Sequence, residues 1–324
     1  SRGRKRSHLA EIRMTPDIRM SQIDNSRTTK VTDFESPLKL PADISLPFFA
    51  YGLFRPGELA YPLIREFVDV KTEGELPKAH FVRDGLALLH RDQAGKTKGS
   101  VLQFKIDACR SAYEKIAAFE PWTQYTWGTA KVEMNDGAVL VNVLFGKSPK
   151  SGSDHGDAMN NQPWSGRHDP LFYSGLEVVQ ETLENAGEFN LDMKPTLRIQ
   201  SAYLLLFSII ERFASHSCSL RKDEPVSKVN TLADTPEFAS ALKAVVQTKR
   251  KVRRSWDGAH DNVSLDPEKP VKAMGYYYQV RSTATHAGKS GIRDHEILQT
   301  CTKELLEIFR RVRDDMFAKS ADDD

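Results

Sequence analysis

The stretch "FFAYGLFRPGE", residues 48–58, decides how the N-terminal half is read. A short apolar run ends on Tyr51-Gly52 and meets an Arg-Pro-Gly turn at once. A glycine directly after a buried strand leaves backbone N–H groups free to form a nest for an anion. The same residues also serve as a plain tight turn. Working outward, "REFVDVKTEGELPKAHFVRDGLALLHRD" (65–92) alternates in polarity and carries Gly74 and Gly85, as strands joined by turns do. "GSVLQFKI" (99–106) reads as a further strand. "DACRSAYEKIAAFE" (107–120) predicts a helix, with Asp107 as candidate N-cap and Tyr113, Ile116 and Ala117 on one face. "YTWGTAKVEM" and "AVLVNVLF" flank Asn135-Asp136-Gly137, a strong hairpin signal. Residues 46–147 therefore predict a small, mostly β domain with one helix.

On either side the pattern changes. Residues 1–45 are polar, with Pro16, Pro37 and Pro41, and read as an extension. Residues 148–169 are rich in Gly, Ser, Asn and Asp and read as a linker. Beyond Pro170 the period becomes helical. Helices are predicted over 171–187, 195–217, 235–252, 272–288 and 294–317. In the second, Ile199, Tyr203, Leu206, Ile210 and Phe213 share a face; in the last, Ile297, Cys301, Leu305, Ile308, Val312 and Met316 do. Pro195 suits a first turn, and Thr235 and Asp294 are candidate caps. Residues 170–320 thus predict an all-α bundle, and the whole chain an α+β protein.

The totals exclude several classes. Of 324 residues, 40% are hydrophobic and 28% charged, enough for a sizeable core. No run of about 18 apolar residues exists, so no membrane helix is expected. Cys109, Cys218 and Cys301 are scattered and odd in number, without CxxC spacing, which argues against a zinc site or a disulfide framework and for a cytoplasmic setting. The net charge of +2 does not itself declare nucleic-acid binding. The local cluster "TKRKVRRSW" (248–256) is more telling: Lys249, Arg250, Arg253 and Arg254 could bind phosphates and Trp256 stack a base, or the run could be a solvated helix end.

Four segments carry a resemblance in the N-terminal half: "FFAYGLFRPGE", "EGELPKAHFVRDGLALLHRD", "TKGSVLQFK" and "AAFEPWTQYTWGTAKVEM". Their order and spacing resemble the gamma-glutamylcyclotransferase-like family over 46–147. The resemblance implies a β-barrel whose catalytic glutamate is Glu120, moving a proton at a γ-glutamyl amine as 5-oxoproline is released. It places Tyr51, Gly52, Leu53 and Phe54 in the substrate-cradling loop and Tyr125 beside the glutamate. Leu53 stands where a small polar residue is usual, and Pro121 where Gly is usual. A ligand-sensing domain is therefore the other reading.

In the C-terminal half, "RSTATHAGKS" (281–290) sets Arg281 five residues before His286. On an unbroken helix that spacing is about 140° around the axis. A helix ending near Thr285 would let the histidine swing back; the plain reading is a C-terminus with His286 facing the last carbonyls. With "GYYYQV" before it and "AYLLLFSIIERF" (202–213) resembling the family's long core helix, with Glu211 at its frequent acidic position, the stretch resembles the R-x4-H motif of the HEPN superfamily over 195–317. The resemblance implies metal-independent, cofactor-free RNA cleavage to a 2′,3′-cyclic phosphate. His286 would be general acid or base, Arg281 would hold the phosphorane and Ser282 would orient one of them, at a site shared by a homodimer.

The combined expectation is a cyclotransferase-like barrel followed by a HEPN-like bundle: an endoribonuclease regulated by its barrel domain, in a toxin or phage-defence role by analogy. The alternatives are a gamma-glutamyl or gamma-glutamylamine cyclotransferase with a helical dimerisation domain, or a non-enzymatic ligand-sensing interaction protein. Expected partners are RNA, a small γ-glutamyl-like ligand and a second copy of the chain.

Overall fold

A computed structural model describes residues 38–84, 86–147, 166–189, 193–219, 224–253, 262–286 and 292–321. Five strands close into a barrel in the order β1-β3-β2-β4-β5. They are β1 (Phe48–Ala50), β2 (Val68–Asp84), β3 (Leu86–Phe104), β4 (Tyr125–Met134) and β5 (Gly137–Gly146). β1 runs antiparallel to β3 and closes the ring by a parallel pairing of Phe48 with Asn142 on β5. The β4–β5 hairpin turns at Asn135-Asp136, with Met134 opposite Gly137, whose φ of 129° suits glycine.

β2 and β3 form one long hairpin instead of several strands joined by turns. Gly74 is not a turn: it lies within β2, where an added Cβ would sit 2.5 Å from Val132 Cγ1 of β4. Gly99 serves β1 in the same way, its virtual Cβ falling 2.4 Å from the Ala50 carbonyl oxygen. Gly85 lies outside the described residues.

α1 (Cys109–Phe119) packs its face of Ala112, Tyr113, Ile116, Ala117 and Phe119 into the barrel. Asp107 does not cap it; Ala108 holds that position without a side-chain bond. Tyr113 meets Phe48, Phe104 and Trp127 edge to face. Its hydroxyl donates to the Leu46 carbonyl at 2.7 Å and accepts from Asn142 Nδ2 at 2.9 Å. Asn142 also donates to the Asp43 carbonyl at 2.7 Å. Leu38 is buried as well, so the segment just before β1 packs against the barrel.

The C-terminal half is mostly helical. Its helices are α2 (Ser174–Asn185), α3 (Lys194–Ser217), α4 (Pro225–Ala233), α5 (Pro236–Val245), α6 (Pro270–His286) and α7 (Ile292–Ala321). The predicted faces of α3 and α7 are the packed ones, and Thr235 caps α5 by accepting from Phe238 N–H. α4, whose Val229, Leu232 and Ala233 are buried, has no counterpart among the helices predicted from the sequence.

The all-α expectation fails at one place. The helix predicted over 235–252 ends at Val245, because Val246 turns extended (φ −94°, ψ 108°). Arg250–Arg253 then forms strand β6, paired antiparallel with β7 (Asn262–Leu265), so the basic cluster enters a two-stranded ribbon. Val252 faces Val263 across it, a β-branched pair that favours the sheet. Asp294 lies within the first turn of α7 and not at its cap, and α6 stays helical through His286.

Candidate functional sites

Glu120 is the first residue past α1; its N–H still closes the last turn on the Ile116 carbonyl at 3.0 Å while its own backbone turns extended. That places the side chain inside, with only 7% of the residue exposed. Burial pushes its pKa from 4.5 to about 8, so the carboxyl is mostly protonated at neutral pH. Its Oε2 makes no hydrogen bond. Tyr51 and Tyr125 are its electrostatic neighbours, both buried, their phenols held well above the ordinary pKa by burial first and by Glu120 second. The structure thus brings together the residue after β1, the residue after α1 and the first residue of β4.

The Tyr51–Phe54 segment forms a tight wrap. Arg55 N–H bonds the Gly52 carbonyl and Ala60 N–H the Leu53 carbonyl, each at 3.1 Å. Leu53 and Phe54 are buried, and Phe54 meets Phe119 edge to face at 5.0 Å. The Tyr51 hydroxyl donates to the Leu144 carbonyl at 2.7 Å and accepts from the Leu89 amide. Its two main bonds are internal. Glu58, at the end of this wrap, is buried and accepts from Gly166 N–H at 3.1 Å, where the chain enters the helical half.

The second site lies where α6 crosses α3. Arg281 donates to the Tyr278 hydroxyl at 3.1 Å. Its guanidinium stands 5.2 Å from the centre of the Tyr278 ring and 5.7 Å from that of Phe207, an arrangement that suits a flat cation. Glu211 on α3 approaches it to 3.8 Å. Burial raises the Glu211 pKa, with Arg281 and then Lys228 opposing. Gln200 bonds the Ala284 carbonyl near the helix end. Ser282 is half-buried on the same helix. His286 is the last residue of α6; its side chain, like that of Arg253 and all of Arg254, lies outside the described residues.

The basic cluster divides. Lys249 pairs with Asp266 at 3.0 Å on the surface. Arg250 turns inward and grips both carboxylate oxygens of Glu304, which also accepts from the Tyr277 hydroxyl at 3.1 Å. Arg250 thus fastens the ribbon to α7. Among the described residues, no three His, Cys, Asp or Glu side chains converge as a metal site.

Sequence reasoning named Arg281, Glu120, Tyr51 and Tyr125 but not Phe207, Tyr278, Leu89 or Leu144, which surround them. The aromatic run "GYYYQV" was the one available signal for the ledge beneath Arg281.

No family model and no curated protein matches the chain. Among solved structures, the crystal structure of YkqA from Bacillus subtilis is similar at 18% identity, over 31% of this chain and 35% of YkqA, with a TM-score of 0.26. The solution structure of an Arabidopsis thaliana protein is similar at 14% identity, over 43% of this chain and 86% of its own, with a TM-score of 0.27. The chain thus spans about a third of YkqA.

Proposed function

We propose that the protein is a metal-independent endoribonuclease acting at the C-terminal end of α6, with the barrel as a ligand-responsive regulatory domain. The observation that carries this reading is Arg281 itself: a guanidinium spread on the Tyr278 and Phe207 rings, with 28% of its side chain exposed. Held flat there, it suits two oxygens of a phosphorane. The 2′-OH attacks the adjacent phosphate and gives up its proton, and the 5′-oxygen leaves with one. His286 serves one of these transfers, since imidazole titrates near neutral pH. Because α6 is helical through position 286, Arg281 and His286 of one chain stand about 140° apart around its axis. That supports a site completed by a second copy. RNA cleavage in the presence of EDTA by the wild type, lost in Arg281→Ala and in His286→Ala, is the expected result. Undiminished cleavage in both variants overturns the reading.

A second reading is favoured by Glu120: a buried, largely protonated carboxyl with one free oxygen between two tyrosines. In its ionised form such a group takes a proton from the attacking α-amine and returns it to the leaving nitrogen as the γ-amide bond breaks and the ring of 5-oxoproline closes. Release of 5-oxoproline that disappears in Glu120→Gln, with RNA cleavage unaffected, would place the primary chemistry in the barrel.

A further inference from the structure

The β2–β3 hairpin changes character at Lys78. Up to Pro77, which pairs with Lys96, the hairpin lies alongside the barrel's other strands. Then the register breaks: Ala79 pairs with Arg91, so β2 advances two residues while β3 skips five. Lys78 sits in the break with a left-handed φ of 56°, an unfavourable value for a residue with a side chain. Beyond it, among the described residues, the two strands pair only with each other.

Yet Leu88 and Leu89 of this outer part are buried. The Leu89 amide bonds the Tyr51 hydroxyl. Leu88 Cβ and His90 Cε1 crowd Gly146, at 2.9 and 3.2 Å from where a Cβ would stand. Gly146 is the rung partner of Tyr125. Arg91 lies over Phe145 at 4.9 Å. The segment therefore abuts Tyr51 directly and Gly146, the strand partner of Tyr125. A cleft of about 270 Å³, lined by Leu76, Lys78, Arg91, Thr129 and Phe145 among others, opens beside the register break.

We infer that the β3 segment Leu88–Arg91 is a gate over the Glu120 carboxyl, pivoting at the Lys78 bulge and held shut by the Leu89–Tyr51 bond and by contact with Gly146. Opening exposes Glu120 without disturbing barrel closure, because the β1–β3 rungs lie on the other side of the break. The inference rests on the second reading only in taking Glu120 as the group reached.

Amide hydrogen exchange on the full chain tests it. In the wild type the Leu89 amide should exchange through a local opening, faster than the Leu102 amide of the β1–β3 rungs. Gly146→Ala places a methyl against Leu88 and should speed Leu89 exchange at least about tenfold while leaving Leu102 unchanged; Leu88→Ala should act in the same direction. If Leu89 and Leu102 exchange together in all three proteins, there is no gate. A local opening at Leu89 without any 5-oxoproline release would keep the gate and remove the cyclotransferase reading.

Discussion

Glu211 of α3 lies 3.8 Å from Arg281 of α6, two residues 70 positions apart in the chain. Under the ribonuclease reading, the carboxylate stands beside the place the RNA phosphate takes. An incoming phosphate thus competes with it for the guanidinium. Glu211→Gln should strengthen binding of a non-cleavable RNA oligonucleotide several-fold, and Arg281→Lys should weaken it by about tenfold through loss of the flat, two-toothed contact. Fluorescence anisotropy checks both; equal affinity in all three proteins would separate Arg281 from RNA.

Glu120 makes stability depend on pH. Its folded pKa of about 8 exceeds the ordinary 4.5. Between those values the folded chain holds a proton that the unfolded chain has lost, so stability falls as pH rises, by at most ~1.4 kcal/mol per pH unit. Below the lower value the penalty is absent, and above the higher one it is complete. Urea unfolding from pH 4.5 to 8 should show this slope in the wild type. It should be flattened in Glu120→Gln.

Gly99→Ala forces a methyl toward the Ala50 carbonyl oxygen and the Phe49 ring. Both neighbours belong to the strand that closes the barrel. The expected loss is about 1–3 kcal/mol, read as a lower denaturant midpoint with an unchanged slope.

The ribbon cations should separate by role. Arg250→Ala strands the Glu304 carboxylate, of which 17% of the side chain is exposed, and should cost about 2 kcal/mol of stability. Lys249→Ala and Lys251→Ala alter exposed positions and should leave stability unchanged. Under the ribonuclease reading, their combination flattens the salt dependence of RNA binding.

Local chemistry made part of this fold readable. Asn135-Asp136-Gly137 specified its turn through backbone preference, and the apolar period of α3 and α7 marked the faces that pack. What escaped depended on distant partners. Gly74 resembles a turn until Val132 is beside it. Arg250 resembles a solvated helix end until Glu304 meets it. Arg281 and Glu120 could be named because their neighbours in sequence resemble known motifs. The Phe207 ring, the Glu211 carboxylate and the Leu89 amide come from other elements and leave no mark at short range.

Barrel closure also orders events during synthesis. β1 is three residues long, and its Phe48 finds its partners 54 and 94 positions further along the chain, at Leu102 and Asn142. A ribosome must release the chain through Asn142 before that strand has a permanent place. Until then Phe48 and Phe49 are exposed apolar surface on a nascent chain, and the interval is one in which a holding chaperone would find its target.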